Sequence, residues 1–345
     1  MKAVKEFATG WGDTYPIQWS SRIEEELTGT ARGHLFIPLM RPFDHLAVPN
    51  EPTTFLTSET SRFSVEALRG TQPYFHRNAD FDELFFQCAG DTLYETEYGT
   101  FKASPQHLTL IPSGVSHRAS GSADCLRMAI RLRDPIDVLI DETRHIGETD
   151  YRVTWSGAPQ WPVPSERAVA AKGIVTESVH TWADKDGEET LIDRHYDRLI
   201  GVSTGGRSLH NIRLFDIFEK LTGGLGPGPV CMKNDSFLIE CYNTPGEQAA
   251  FHRGNRNEEF QFQFAGTADN ICEFGTASMQ PGDLFIVRRG IGHRVVGSPK
   301  FRRLVIYSKD PWTVTIDPQQ PRYRTTFSVE ERIVDAAPWR TEPSS

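Results

Sequence analysis

Short runs of alternating apolar and polar residues, each closed by glycine or proline, dominate two parts of the chain. In the clearest run, EFQFQF at 259–264, Glu259, Gln261 and Gln263 share one face of an extended strand and the phenylalanines share the other. Turn signals recur about every ten residues. This pattern is typical of antiparallel strands in a barrel or sandwich, and it differs from that of a parallel α/β sheet.

A long stretch of the sequence occurs twice. When the chain is shifted by 176 residues, FHRNADFDELFFQCAG at 75–90 lies on FHRGNRNEEFQFQFAG at 251–266 without a gap. The register continues to Arg-Asp-Pro at 133–135, which falls on Lys-Asp-Pro at 309–311. Self-similarity of this length indicates two copies of one folding unit. We therefore predict a mainly all-β protein that contains two antiparallel β-barrels.

The sequence between the two copies has a different pattern. Apolar residues recur at helical spacing over 166–182 and over 208–224, and the second run ends on a Gly-Gly stop. The segment GGLGPGP at 223–229 is typical of a connecting loop. We therefore expect a few connecting helices. The predicted order is an N-terminal barrel, a helical or loop connection and a C-terminal barrel, over 1–150, 151–230 and 231–345.

Length, charge and composition bear on the number of domains, the classes of partner and the cellular location. The chain of 345 residues is long enough for two domains, and its formal net charge of -9 argues against a nucleic-acid or acidic-membrane partner. Its five cysteines contain no C-x-x-C pair, so neither a disulfide framework nor a zinc knuckle is indicated. Neither an apolar leader nor a run of about 18 apolar residues occurs. We expect a cytoplasmic protein.

Each copy contains two histidines and one glutamate at the same spacing. They are His76, Glu83 and His117 in the first copy, and His252, Glu259 and His293 in the second. A lone histidine on a strand is more often structural than a metal ligand, but two matched triples favour ligation. Two imidazoles and a carboxylate are costly to bury in a small barrel unless something binds them. The repeated triple therefore predicts a metal site in the second copy, and in the first copy either a second metal site or a remnant of the duplication that binds no metal.

The residue types narrow the identity of the metal. Imidazole and carboxylate without thiolate suit first-row metals, and two histidines with one carboxylate are the ligand set of non-haem Fe(II) oxygenases. Three protein ligands leave positions at which a chelating substrate and dioxygen can meet on the same ion. We predict Fe(II) as the cofactor, with Mn, Ni and Cu as alternatives.

The motifs around these triples resemble those of the cupin superfamily. HRNADFDELFFQCAG with IPSGVSH, and FHRGNRNEEFQFQFAG with VRRGIGH, place the first His, the Glu and the following Gly where cupins have them. The second His of the cupin His-x-His is replaced by Asn78 and Gly254. This departure favours a three-ligand site over the four-ligand chemistry of oxalate oxidases and decarboxylases. The resemblance implies a two-barrel cupin, or bicupin.

Among bicupins, the chain looks most like the homogentisate and hydroquinone dioxygenases, with His-Arg-Asn at 76–78 as a local match. The homogentisate type usually has one residue fewer between its His and its Glu. The resemblance implies an enzyme that uses dioxygen to cleave a hydroquinone-like ring, of the hydroquinone, homogentisate or gentisate class. It also favours the C-terminal barrel as the working one, with Gln261 and Gln263 as candidate catalytic residues that contact substrate. We expect a homo-oligomer, with a small second subunit left open.

Two other functions fit the same features. The first is a sensor bicupin that binds a metal or ligand without turnover, although no helix-turn-helix or other output segment is evident in the sequence. The second is a metal-dependent isomerase or decarboxylase on the same barrels. A requirement for dioxygen during turnover separates the dioxygenase from both.

Overall fold

The structure of the chain is a computed structural model, and the secondary structure in its described part is β throughout. The described residues are 14–16, 39–40, 47–73, 75–96, 98–139, 152–155, 176–180, 182, 190–193, 209–213, 230–242, 246–248, 252–254, 257–272, 275–287, 289 and 293–315. Within these ranges, no helix is long and apolar enough to cross a membrane. The prediction of an all-β fold is confirmed.

The strands are short, as the spacing of glycine and proline predicts. The first thirteen are β1 (Thr14–Pro16), β2 (Leu39–Met40), β3 (Thr53–Thr57), β4 (Ser61–Glu66), β5 (Gly70–Thr71), β6 (Phe75–Asn78), β7 (Asp82–Ala89), β8 (Thr92–Thr96), β9 (Gly99–Ala103), β10 (His107–Ile111), β11 (His117–Gly121), β12 (Leu126–Leu132) and β13 (Asp137–Val138). The others are β14 (Arg152–Trp155), β15 (Thr176–His180), β16 (Thr190–Asp193), β17 (Leu209–Arg213), β18 (Val230–Lys233), β19 (Phe237–Tyr242), β20 (Gly246–Glu247), β21 (His252–Gly254), β22 (Glu258–Ala265), β23 (Ala268–Cys272), β24 (Gly275–Met279), β25 (Leu284–Val287), β26 (His293–Gly297), β27 (Arg302–Ser308) and β28 (Thr313–Val314).

The first of two compact units contains two antiparallel sheets built around residues 47–136. One sheet has the strand order β14-β17-β10-β7-β12-β4-β3. The other has the order β16-β15-β6-β11-β8-β9, with β5 beside β11. The parallel pairing of β15 with β6 is the exception to the antiparallel pattern in these two sheets.

The second unit repeats this arrangement. Its sheets have the orders β13-β18-β19-β27-β22-β25-β2 and β1-β21-β26-β23-β24, with β20 beside β26. Strands β21 to β27 occupy the places that β6 to β12 occupy in the first unit. Strands β1, β2 and β13 precede this unit in sequence and nevertheless belong to its sheets. The second barrel is therefore assembled from separate parts of the chain.

The predicted helices over 166–182 and 208–224 are wrong in the described parts of these segments. Thr176–His180 forms β15, which runs beside β6, and Leu209–Arg213 forms β17, which pairs with β10. Hydrogen bonds to the edges of existing sheets outweigh a weak local helix preference. Most of the remainder of both segments, and the loop predicted at 223–229, lie outside the described residues.

Strand β7 shows how the alternation in the sequence positions the site. Leu84 and Phe86 are fully buried on one face of the strand. Glu83 and Phe85, on the other face, line a cavity inside the first unit. The strand thus turns its carboxylate into the barrel, where water is scarce.

A glycine follows both strands that carry the metal-site glutamates. Gly90 and Gly266 have φ angles of +59° and +67°. A Cβ at Gly90 would lie 2.6 Å from the backbone nitrogen of Cys125, and one at Gly266 would lie 2.6 Å from the carbonyl of Lys300. Backbone conformation and close approach therefore both require glycine at this point of the repeat.

Replacement of Gly90 by alanine is expected to destabilise the first unit more than the same change at Gly70. Gly70 also has a positive φ, of +75°, but a Cβ added there would meet nothing within 4 Å, so Gly70→Ala adds only backbone strain, of about 1–2 kcal/mol. Gly90→Ala adds steric overlap as well, which costs a further ~1–3 kcal/mol. Denaturant unfolding of the two variants measures the difference, and equal losses would contradict the close approach to Cys125.

Candidate metal centres

The first predicted triple forms one cluster. His76, Glu83 and His117 lie on β6, β7 and β11, and their ligand atoms are all within 4.8 Å of one another. Glu83 Oε2 is 3.2 Å from His117 Nε2 and 3.8 Å from His76 Nε2. His76 and His117 are register partners on adjacent strands, with ring centroids 4.0 Å apart. Sheet pairing therefore brings together residues that are far apart in sequence.

The polar atoms of this cluster fit a bound cation. Glu83 Oε2 and His117 Nε2 are both buried and make no hydrogen bond within the described part of the chain. His117 Nδ1 lies 3.0 Å from the carbonyl oxygen of Val115 and donates to it, so Nε2 is the ring nitrogen that faces Glu83. Two buried polar atoms without a hydrogen bond are costly, and a metal ion satisfies both. Two imidazoles and one carboxylate suit a divalent first-row metal.

Burial and neighbouring charges keep these groups in the forms that bind metal. Burial is the main cause that lowers the pKa of His76 to about 3, and the nearby His117 lowers it further. Burial would raise the pKa of Glu83, but the imidazoles of His117 and His76 and the charge of Arg131 hold it well below its usual range. At neutral pH, His76 is therefore neutral and Glu83 is anionic, as metal ligation requires.

Arginines hold the carboxylates around this cluster. Arg131 Nε is 3.1 Å from Glu83 Oε1, and Arg131 Nη2 is 3.5 Å from Glu66 Oε1. Arg127, which is almost completely buried, lies 2.7 Å from Glu66 Oε2 and donates a hydrogen bond of 2.8 Å to the hydroxyl of Tyr94. One oxygen of Glu83 is thus fixed by Arg131, while the other faces the two imidazoles.

A cavity of about 590 Å³ lies in the first unit, and all three cluster residues are in its wall. Its volume is within the range of roughly 300–1,000 Å³ that is typical of small-molecule sites. Phe81 and Phe85 give the wall an apolar part, and His180 adds an imidazole whose ring centroid is 5.4 Å from that of His76. The first cluster can therefore be reached by a small organic molecule.

The second predicted triple forms a similar cluster. His252, Glu259 and His293 also have their ligand atoms within 4.8 Å of one another. Glu259 Oε2 is 3.1 Å from His293 Nε2, and the two imidazole centroids are 4.2 Å apart. Burial would raise the pKa of Glu259, but His293 and His252 lower it to about 2. The donor set therefore fits a metal ion here too.

A hydrogen-bond network lies next to Glu259 inside the second barrel. Arg303 donates to Gln261 Oε1 at 2.6 Å and to Gln263 Oε1 at 3.1 Å, and Gln261 Nε2 donates to Glu259 Oε1 at 2.7 Å. A described cavity of about 30 Å³ lies beside Glu259, and neither His252 nor His293 is in its wall. Gln261 is in its wall, whereas Gln263 is fully buried. Their role as substrate contacts stays a prediction.

Two buried arginines next to the clusters were not predicted from the sequence. Arg127 and Arg303 occupy equivalent places in the two copies, 176 residues apart, and both are almost completely buried. They lie on β12 and β27, outside the two motifs that contain the metal ligands. The sequence contained one signal for them, which is their recurrence at equivalent positions of the two copies. Arginine is rarely buried without a partner.

Comparisons with known proteins give similar solved structures at low identity. The sequence matches no family model and none of the curated proteins. Similar solved structures include a cupin 2 conserved barrel protein from Leptotrichia buccalis, with 8% identity, TM-score 0.46, and coverage of 76% of this chain and 90% of that one. A mutant of salicylate 1,2-dioxygenase from Pseudoaminobacter salicylatoxidans has 12% identity, TM-score 0.43, and coverage of 88% of each chain. Oxalate decarboxylase from Bacillus subtilis has 12% identity, TM-score 0.37, and coverage of 91% of this chain and 90% of that one.

These identities and TM-scores are too low to carry an argument about this chain. The described residues of the chain themselves form two repeated antiparallel barrels, each with a buried cluster of two histidines and one glutamate that fits a metal ion.

Proposed function

We propose that this protein is an Fe(II)-dependent dioxygenase that opens the ring of a hydroquinone-like aromatic diol. The observation that carries the proposal is the position of His76, Glu83 and His117 in the wall of a cavity of about 590 Å³. A site for dioxygen chemistry needs a metal with open positions beside a space that holds the substrate. In the first barrel, a residue group that could hold such a metal lies in the wall of such a space.

The cavity provides groups for binding, orientation and proton transfer. Fe(II), when bound, would supply the positions at which the substrate oxygen and dioxygen meet. Phe81 and Phe85 offer apolar surface to an aromatic ring. His180 lies next to His76 and is placed to accept the proton of a ring hydroxyl. Arg131 fixes the orientation of Glu83.

The two barrels differ in the space beside their metal ligands. The resemblance in sequence favours the C-terminal barrel, and that assignment stays a prediction. The described cavity beside Glu259 has a volume of about 30 Å³, and neither His252 nor His293 is in its wall. The cavity of about 590 Å³ therefore favours the first barrel as the place of reaction. The homo-oligomer, the small second subunit and the cytoplasmic location also remain predictions.

The proposal predicts oxygen uptake that depends on an aromatic diol. Protein loaded anaerobically with Fe(II) should consume one dioxygen for each ring opened with hydroquinone, gentisate or homogentisate, and both atoms of labelled dioxygen should enter the product. An oxygen electrode and mass spectrometry of the product measure these quantities. Turnover without dioxygen would instead indicate an isomerase or decarboxylase, and metal binding without any turnover would indicate a sensor.

Removal of the metal-site carboxylate from one barrel at a time should show which barrel carries out the reaction. Because an anionic ligand is removed in each case, Glu83→Ala and Glu259→Ala should each lose about one of two metal ions per chain. Glu83→Ala should also lose oxygen uptake by roughly 100-fold or more, whereas Glu259→Ala should keep most of it. Metal analysis and oxygen uptake are the measurements, with the exposed Glu59→Ala as the control. The reverse pattern of activity would place the reaction in the C-terminal barrel.

A further inference from the structure

Tyr94 on β8 places a hydroxyl group at the cavity of about 590 Å³. Its side chain is buried and lies in the cavity wall. Arg127 Nη1 donates a hydrogen bond of 2.8 Å to the hydroxyl oxygen, and Arg127 is in the same wall. Because both partners of this hydrogen bond line the cavity, the hydroxyl is within reach of a molecule bound there.

The hydroxyl of Tyr94 has a donor that the described part of the chain does not use. A hydroxyl both accepts and donates, whereas a guanidinium only donates, so the contact with Arg127 does not involve the tyrosine proton. The bond from Arg127 is the one hydrogen bond that this hydroxyl makes with a described residue. Burial raises the pKa of Tyr94, so the hydroxyl keeps its proton at neutral pH. A buried donor without an acceptor is costly, and an oxygen atom of a bound molecule removes that cost.

Aromatic contacts and an ion pair hold this hydroxyl in position. The rings of Tyr94 and Phe101 stack with their centroids 5.0 Å apart, and the ring centroid of Phe85 is 5.7 Å from that of Tyr94. Arg127 is itself held by Glu66, whose Oε2 lies 2.7 Å from Arg127 Nη2. Neither the tyrosine ring nor its arginine partner therefore has to be ordered when a ligand binds, which favours binding.

Tyr94 lies near the metal cluster of the first barrel. Strands β8 and β11 are paired, with Tyr94 opposite Ala119 and Thr96 opposite His117. Tyr94 and His117 are thus diagonal neighbours on one face of the sheet, with their backbones about 7–8 Å apart. Both residues line the cavity. A ring with an oxygen atom at each end can therefore contact the cluster with one oxygen and Tyr94 with the other.

The second barrel shows that a buried arginine at this place does not require a tyrosine. The residue equivalent to Tyr94, 176 positions later, is Asn270, and its Oδ1 accepts a hydrogen bond of 2.9 Å from Arg303. Asn270 Nδ2 donates within the same barrel to Met279 Sδ, at 2.8 Å. The amide thus uses its acceptor and a donor inside the protein, whereas Tyr94 retains its donor at the cavity.

We infer that Tyr94 determines the specificity of the first barrel by donating a hydrogen bond to the second oxygen of a para-dihydroxylated ring. This inference rests on the proposed function for the other oxygen, which lies beside the His76, Glu83 and His117 cluster. A site that hydrogen-bonds a substrate oxygen disfavours an analogue without this oxygen, because the donor then stays unpaired. The first barrel should therefore distinguish a para-diol from a simple phenol.

Anaerobic binding tests this inference without turnover. Full-length protein loaded with Mn(II) is titrated calorimetrically with hydroquinone, 4-methoxyphenol and phenol. Hydroquinone and 4-methoxyphenol both have a second oxygen that can accept a hydrogen bond, and each should bind about three- to tenfold more tightly than phenol. Equal affinities for hydroquinone and phenol, or no binding of any of the three, would overturn the inference. A preference for hydroquinone that 4-methoxyphenol does not share would also overturn it, because the second oxygen would then act as a donor.

Substitution of Tyr94 assigns the preference to its hydroxyl. Tyr94→Phe should weaken the binding of hydroquinone and 4-methoxyphenol about three- to tenfold, while the affinity for phenol changes less than about twofold. Tyr98→Phe removes the hydroxyl of a partly buried tyrosine that is not among the described residues of the cavity wall, and it should leave all three affinities unchanged. Should Tyr94→Phe fail to fold, Tyr94→Asn takes its place with the same expected loss, since it offers Arg127 the acceptor that Arg303 has in the second barrel.

Thermal unfolding and metal content of each variant show whether the barrel and the metal site are intact. In an intact variant of Tyr94, an equal loss for all three ligands, or no loss for any, would contradict a contact between this hydroxyl and the second oxygen. Oxygen uptake with Fe(II) is measured separately. A preference for hydroquinone that depends on Tyr94, without oxygen consumption, would leave this contact standing and remove the dioxygenase proposal.

Discussion

The interior of each barrel depends on one interaction, which is the contact of a buried carboxylate with two imidazoles. In the first barrel, Glu83 Oε2 and His117 Nε2 are buried polar atoms 3.2 Å apart. Without a cation such a contact is unfavourable, since neither atom receives a hydrogen bond from the described part of the chain. The strands that bring these atoms together therefore make metal binding and folding mutually supportive.

The two copies of the barrel differ in what surrounds this cluster. In the first, Arg131 and Arg127 hold Glu83 and Glu66, and a large cavity remains. In the second, Arg303 binds the neutral side chains of Gln261 and Gln263, and burial lowers its pKa to about 9. The two copies thus share the residues of the candidate metal sites and differ in the residues around them.

The repeat, the strand pattern and the metal ligands could be predicted from the sequence, whereas features that depend on tertiary pairing could not. His76, Glu83 and His117 recur at the same spacing in the second copy, and sheet pairing places them in contact. Arg62 and Arg131 meet because β4 and β12 are neighbours, a fact that no local pattern encodes. Leu209–Arg213 lies in a segment with helical periodicity and becomes a strand because it pairs with β10. The sequence predicted Gln261 and Gln263 as substrate contacts, which stays a prediction, but it did not show that Arg303, from another strand, donates hydrogen bonds to their Oε1 atoms.

The central claim is that the first barrel holds both the metal and the substrate. An anaerobic crystal structure of the Fe(II)-loaded chain with an aromatic diol, with diffraction data collected at the iron edge, tests it most directly. We expect iron at both clusters and diol density only in the first barrel, beside His76, Glu83 and His117. Diol density beside His252, Glu259 and His293, with none in the first barrel, would contradict it.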